Sequence, residues 1–202
     1  MHRTGAANRL IAEYSTLAAQ KPSAPGSDDE RSLRYFAVED ALRSGRAVDE
    51  RNRLITDWVD SLLKFEVFAH REGRLPRENN RLARDEISET ERTLTGWSRY
   101  QRRPAARAAH CRYQALRLES IPGFRWDPLE QQWRDMCDAY FRFVALHGAP
   151  ALRRPEPHER SLAGWAARQR RAHALGNLSP ARVAELNATR AWTWTPASSA
   201  PH

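Results

Sequence analysis

Lysine is almost missing from this chain. Lys21 and Lys64 are the only two among 33 basic residues, so the positive charge is arginine. Cysteine is just as scarce. Cys111 and Cys137 form no disulfide framework and no metal or redox spacing, and reduced, partly buried thiols in a cytoplasmic protein are expected. No apolar run approaches a membrane span and no signal-type apolar stretch follows Met1, so no membrane association is expected. None of the nine glycines precedes a lysine, which excludes a phosphate-cradling loop of the Walker type. Strand-like alternation is absent too. The seven histidines show no pairing at ligand spacing, and His110 beside Cys111 has the wrong geometry for a nucleophile and its base. No metal site, no cofactor and no catalytic residues are expected, so the chain is read as a non-enzyme.

What is present is charge of one sign, unevenly placed. The 202 residues carry a formal net charge of +8. Residues 1–50 hold seven basic and eight acidic residues, a net −1, leaving +9 for residues 51–202. Arginine's planar fork suits phosphate and carboxylate. A basic, soluble chain points to a polyanionic partner. Seven Trp, five Tyr and six Phe supply enough rings for a core.

Those rings fall in a repeat. At an offset of 75, Trp58, Phe65, Phe68 and Gly73 match Trp133, Tyr140, Phe143 and Gly148. At an offset of 68, LTGWSRYQRR (Leu94–Arg103) matches LAGWAARQRR (Leu162–Arg171), and Trp126 and Pro128 match Trp194 and Pro196. The change of offset means seven extra residues in the first copy, between Gly73 and Leu94. Six tryptophans are thereby paired, as core anchors: Trp58, Trp97 and Trp126 in one copy, Trp133, Trp165 and Trp194 in the other. Trp192 is left over. Ser44–Arg51 also resembles Leu175–Arg182, a faint trace of a third copy.

Each copy predicts three helices. In the second, apolar residues recur at helical spacing from Trp133 to a stop at Gly148, a second helix runs over 161–174 to Gly176, and Ser179 with Pro180 opens a third. The first copy predicts helices near 53–70, 90–103 and 105–119, with Pro104 ending or kinking the second. Residues 7–20 predict one more helix, and Asp28–Glu30 read as a helix N-terminus capped after PSAPGS. The chain is therefore expected to be all-α: an N-terminal helical extension (1–50), two tandem three-helix modules (51–128 and 129–197) and a short tail (198–202).

On a helical wheel of about 100° per residue, with Trp97 or Trp165 at zero, Gln101 and Gln169 fall beside the Trp. They can cap a neighbouring backbone group or reach a base edge. Arg99, Arg102 and Arg103, and Arg170 and Arg171, fall on the far side. From Arg92 to Leu118 there are seven arginines and no acid, and from Arg160 to Ala184 five and no acid. A merely solvated face interleaves both signs. The expected phosphate contacts are Arg99, Arg102, Arg103, Arg107 and Arg112 in the first copy, and Arg168, Arg170, Arg171 and Arg182 in the second. Arg153 and Arg154 join them from the proline-rich loop.

Each copy resembles the helicase-associated domain, a short tandem repeat of bacterial helicases. The matching features are the leading Trp, the His-Gly helix end, the Leu-x-Gly-Trp…Gln-Arg core, the Gly and Leu-Ser before the last helix, and the closing Trp. The first copy departs in having Glu72 where the second has His147, and no Gly before its third helix. The resemblance implies a three-helix fold, a bacterial source and nucleic-acid binding. The helicase motor itself has no counterpart here. The expected function is non-catalytic binding of the DNA backbone, duplex DNA foremost, in the cytoplasm or on the nucleoid. The alternative is an adaptor binding an acidic protein, with the N-terminal helix open to a protein partner or a second copy.

Overall fold

The computed structural model describes residues 5–20, 24–77, 87–148 and 156–195. Every regular element among them is helical. The chain divides into two compact units, Met1–Trp126 and Asp127–His202.

The first unit holds α1 (Gly5–Ala18), α2 (Asp28–Arg43), a 3₁₀ turn (Glu50–Asn52), α3 (Arg53–Glu72), α4 (Glu89–Gln101), α5 (Pro104–Ala109) and α6 (Arg112–Glu119). Ser27 caps α2 by accepting from the Glu30 N–H at 3.1 Å. Asp28, Asp29 and Glu30 then place negative charge on the positive end of the helix dipole. α3 buries Val59, Leu62, Phe65, Phe68 and Ala69, a stripe at helical spacing. That stripe packs with Leu94, Leu118, Ile121 and Phe124, flanked by Trp58, Trp97 and Trp126. Ser88 caps α4, accepting from the Glu91 N–H at 3.1 Å. The Glu91 carboxylate pairs with Arg74 at 2.6 Å and accepts from the Arg77 N–H at 2.8 Å. The Arg74 hydrogen bond holds Glu91 below the usual carboxylate range.

The predicted third helix over 105–119 is two helices. α4 stops at Gln101, Pro104 occupies the first turn of α5, and His110 and Cys111 are extended before α6 begins. The break carries the His110 ring between Trp58 and Trp126, at 6.3 and 5.7 Å, and buries Cys111. The opening N–H groups of α6 then find partners on α2. Arg112 N–H donates to Asp28 Oδ2 at 3.0 Å and Tyr113 N–H to Ser32 Oγ at 3.1 Å.

The N-terminal segment is part of this core. Leu10 and Tyr14 of α1 cluster with Phe36, Cys111 and Tyr113, so the apolar side of α1 is covered within the chain. Beneath them lies a buried ionic network. Arg117, 0 % exposed, donates through Nε to both Glu39 oxygens at 3.0 and 3.1 Å and through a terminal nitrogen to Glu66 at 2.9 Å. Arg43 bridges the same two carboxylates at 2.8 and 2.5 Å. The Tyr113 hydroxyl donates to Glu39 at 2.9 Å. Burial alone would raise Glu39; Arg117 and Arg43 override it and hold the carboxyl ionised, below the usual range. Arg117 therefore belongs to the interior, although it is one of the seven arginines in the acid-free stretch.

The resemblance of Ser44–Arg51 to Leu175–Arg182 has a local cause. α2 and the later helix Pro157–Ala174 end in the same turn, with Gly45 at φ 69° and Gly176 at φ 70°. Arg46 N–H bonds Ala41 C=O at 2.9 Å, as Asn177 N–H bonds Ala172 C=O at 2.8 Å. Helices commonly end this way, with glycine in the left-handed region, so the trace needs no third copy.

The second unit holds α7 (Pro128–His147), α8 (Pro157–Ala174) and α9 (Pro180–Asn187). Trp133, Cys137, Tyr140, Leu162, Trp165, Ala166, Leu186 and Trp192 form its core. Burial, reinforced by Glu185 and Asp138, pushes the Cys137 thiol up to about 11, so it stays protonated and unreactive at neutral pH. No helix among the described residues is long and apolar enough to cross a membrane.

Removing Arg117 would leave two buried carboxylates to share Arg43. Arg117→Met should destabilise the protein by about 3–5 kcal/mol, read as a lowered urea midpoint in equilibrium unfolding. A midpoint unchanged from the wild type would show that the network is not a net constraint.

Candidate nucleic-acid interface

The two decapeptides lie on α4 and α8, and their contacts correspond residue by residue. Trp97 lies 6.0 Å from Trp58 and 5.5 Å from Phe65; Trp165 lies 6.0 Å from Trp133 and 5.6 Å from Tyr140. Gln101 Oε1 accepts from the Trp58 indole N–H at 2.9 Å, and Gln169 Oε1 from the Trp133 indole N–H at 2.9 Å. Both glutamines are thus spent on the fold and not on a base edge.

Arg102 and Arg170 are also internal. Arg102 Nε donates to the Arg125 carbonyl at 2.7 Å, with its guanidinium 4.9 Å from the Phe124 ring centre. Arg170 Nε donates to the Thr193 carbonyl at 2.8 Å, with its guanidinium 4.8 Å from that of Trp192. Both sit at about 140° from the helix tryptophan. There they pin the segment that follows the last helix of each unit. The expectation that they face water is corrected: each is half-buried.

Those contacts also account for Trp192. It is 7 % exposed and corresponds to Phe124, which is 3 % exposed. Matching tryptophan to tryptophan hid the pair; the constant offset of 68 contains it. Trp126 and Trp194 close the units in the same way, donating to Glu119 at 2.6 Å and Asn187 at 2.8 Å. Trp133 and Trp165 are buried, while Trp58, Trp97, Trp126 and Trp194 are half-buried at the core margin. Trp194 carries the His173 ring stacked on it at 3.8 Å.

The other predicted arginines divide. Arg182 pairs with Glu130 at 2.8 Å and lies over the Trp133 ring at 4.9 Å, and its hydrogen bond depresses the Glu130 carboxyl. It holds α9 to α7. Arg112 is exposed but faces Glu13 of α1 at 3.8 Å. Arg107 is exposed and lies over Trp126 at 5.0 Å. Arg153 and Arg154 lie outside the described residues. Arg99 on α4, Arg103 at the extended N-cap of α5, and Arg168 and Arg171 on α8 are exposed. Measured from the helix tryptophan, Arg99, Arg168 and Arg171 fall between about 200° and 300°, together with Arg92 and Arg160 one to two turns earlier. Both of these are exposed too. They lie outside the decapeptides, which is why reading the repeat alone passed over them. The acids of α4, Glu89 and Glu91, stay in its first turn. α4 and α8 thus each turn arginines outward. No group of His, Cys, Asp and Glu able to hold a metal occurs among the described residues.

His110 backs this helix in the first unit. Its Nε2 lies 2.8 Å from Gln101 Oε1, and its Nδ1 is buried without a partner. Burial, with the positive charge of Arg31 adding to it, lowers its pKa. The folded state therefore holds His110 neutral, while the unfolded chain titrates near about 6.5. Stability is present above that value and is lost as pH falls through the lower folded pKa. The thermal midpoint should drop between about pH 7.5 and 5.5 and drop less in His110→Gln, as scanning calorimetry at the two pH values would show.

Tryptophan truncation tests the core assignment directly. Trp165→Ala should cost about 3–5 kcal/mol in urea unfolding, whereas Arg171→Ala should change the midpoint little.

No curated protein and no solved structure matches the chain. Residues 130–195, the span of α7, α8, α9 and both closing tryptophans of the second unit, match the family model described as Helicase associated domain.

Proposed function

We propose that this protein is a non-catalytic nucleic-acid-binding protein built from two helicase-associated modules, the first a diverged copy of the second. It holds the phosphate backbone on the outward arginine rows of α4 and α8. The shared contacts support the duplication: indole to glutamine, arginine to the closing segment, and Trp126 and Trp194 to the ends of α6 and α9. The observation that carries the binding reading is the exposure of Arg99, Arg168 and Arg171 on the side of their helices away from the tryptophan anchors, with Arg103 exposed just beyond α4. Guanidinium groups release condensed counterions when they meet phosphate, and that gain is independent of sequence. Two rows on one chain raise the effective concentration of the second contact once the first is made. Duplex DNA, with its dense phosphate charge, is the first ligand to test.

Fluorescence anisotropy with labelled duplex DNA across a salt series tests this. Affinity should fall steeply with salt. In Arg99→Ala/Arg103→Ala/Arg168→Ala/Arg171→Ala the slope of log affinity against log salt should shrink by about 0.9 for each phosphate that no longer meets an arginine. A wild type that binds neither duplex DNA, single-stranded DNA nor RNA at about 100 mM salt overturns the reading, and the same rows would then serve an acidic protein partner.

A further inference from the structure

Gly96 stands in the interior of α4, on the outward side, between Arg92 and Arg99 in the chain. Its backbone is ordinary helix, and a Cβ built on it would meet nothing within 4 Å. Glycine inside a helix costs about 1 kcal/mol relative to alanine. Here neither a positive φ nor internal packing calls for it. One turn later stands Tyr100, 55 % exposed. It is the only exposed ring among the Trp, Tyr and Phe side chains of the described residues.

The two features are connected. Tyr100 stands one turn after Gly96 on the same side of α4, and no atom of its ring comes within 4 Å of where a Gly96 Cβ would stand. A larger side chain at 96 would pack on that ring as an i, i+4 pair. Glycine leaves an open space beside the ring. The Arg103 guanidinium lies over the ring at 5.6 Å, on one face, and the other face is left for a stacking partner. In α8 the corresponding positions are Gly164 and Arg168, and Arg168 Nη1 comes within 3.5 Å of where a Gly164 Cβ would stand. There the same place is taken by a cation. A flat ring with open space beside it and guanidinium groups around it is complementary to a flat ring carrying negative charge nearby, which is a nucleotide whose base is unpaired.

We propose that α4 seats an unpaired base of a single-stranded nucleic acid on Tyr100, in the space left by Gly96, with the strand's phosphates on Arg99 and Arg103. This rests on the nucleic-acid reading above and adds a strand preference to it. Stacking on an aromatic side chain is tolerant of base identity, so no sequence preference is expected. A duplex keeps its bases stacked and gains nothing from the ring.

The full-length protein is titrated by anisotropy with a labelled oligothymidylate of about 20 nucleotides and with a duplex of the same length, at about 100 mM salt. Tyr100→Ala should weaken single-strand binding about tenfold or more while duplex affinity stays within about twofold, and Tyr100→Phe should retain the wild-type value. Gly96→Leu should weaken single-strand binding as Tyr100→Ala does, yet raise the thermal midpoint, because it replaces glycine by a good helix former. A loss of binding in a more stable protein cannot come from misfolding. If Tyr100→Ala and Gly96→Leu both keep single-strand affinity within about twofold of a wild type that binds, the base seat is overturned and the backbone reading stands. If the wild type binds neither oligonucleotide, both fall together.

Discussion

The tryptophan that leads the first helix of each repeat gives its indole N–H to a glutamine of the next helix, and both units make this bond in the same way. Trp58 gives its N–H to Gln101 and Trp133 gives its own to Gln169. The acceptor stands four residues after the helix tryptophan, so Trp97 and Gln101, or Trp165 and Gln169, share one side of their helix. Once that side is turned inward, the rotation of α4 and α8 about their axes is set. Arg102 and Arg170 then fall against the closing segment, where each meets a carbonyl and a ring. Arg99 of α4, and Arg168 and Arg171 of α8, are then turned outward. The outward direction of Arg99, Arg168 and Arg171 follows from the indole-to-glutamine bond.

The first unit carries a further requirement. Arg117 lies fully inside, and a lone guanidinium there would be untenable. Glu66 comes from α3 and Glu39 from α2, so the N-terminal segment supplies half of the counter-charge. Asp28 and Ser32 of the same helix accept from the first N–H groups of α6. These bonds tie α2 to the unit by electrostatics and by backbone satisfaction. In the second unit Ser179 caps α9 from its own sequence, accepting from the Arg182 N–H at 3.4 Å. The contrast shows what α2 adds to the first unit, where the second relies on its own third helix.

Much was legible in the chain because short-range rules act on neighbouring residues. Hydrophobic periodicity marked α3, α7 and α8, Ser179 with Pro180 marked α9, and PSAPGS before an acidic run marked the start of α2. Pro104 ended α4, since proline has no N–H to give. The extended pair His110 and Cys111 was not legible. Helical spacing runs through it, and what breaks the helix is the burial of the His110 ring between two tryptophans from distant segments.

The sequence by itself determined the helical class, the correspondence of the two decapeptides and the inward direction of their tryptophans. Each follows from spacing along one helix. Only the tertiary structure decided which arginines are spent inside and which stay outside. Arg102, Arg117, Arg170 and Arg182 look like Arg99, Arg103, Arg168 and Arg171 when read along the chain. They differ in what other segments bring to them: a carbonyl and a ring for Arg102 and Arg170, two carboxylates for Arg117, and Glu130 for Arg182. Charge is a property of the residue, but its availability depends on partners far away in the chain, and folding alone brings those partners together.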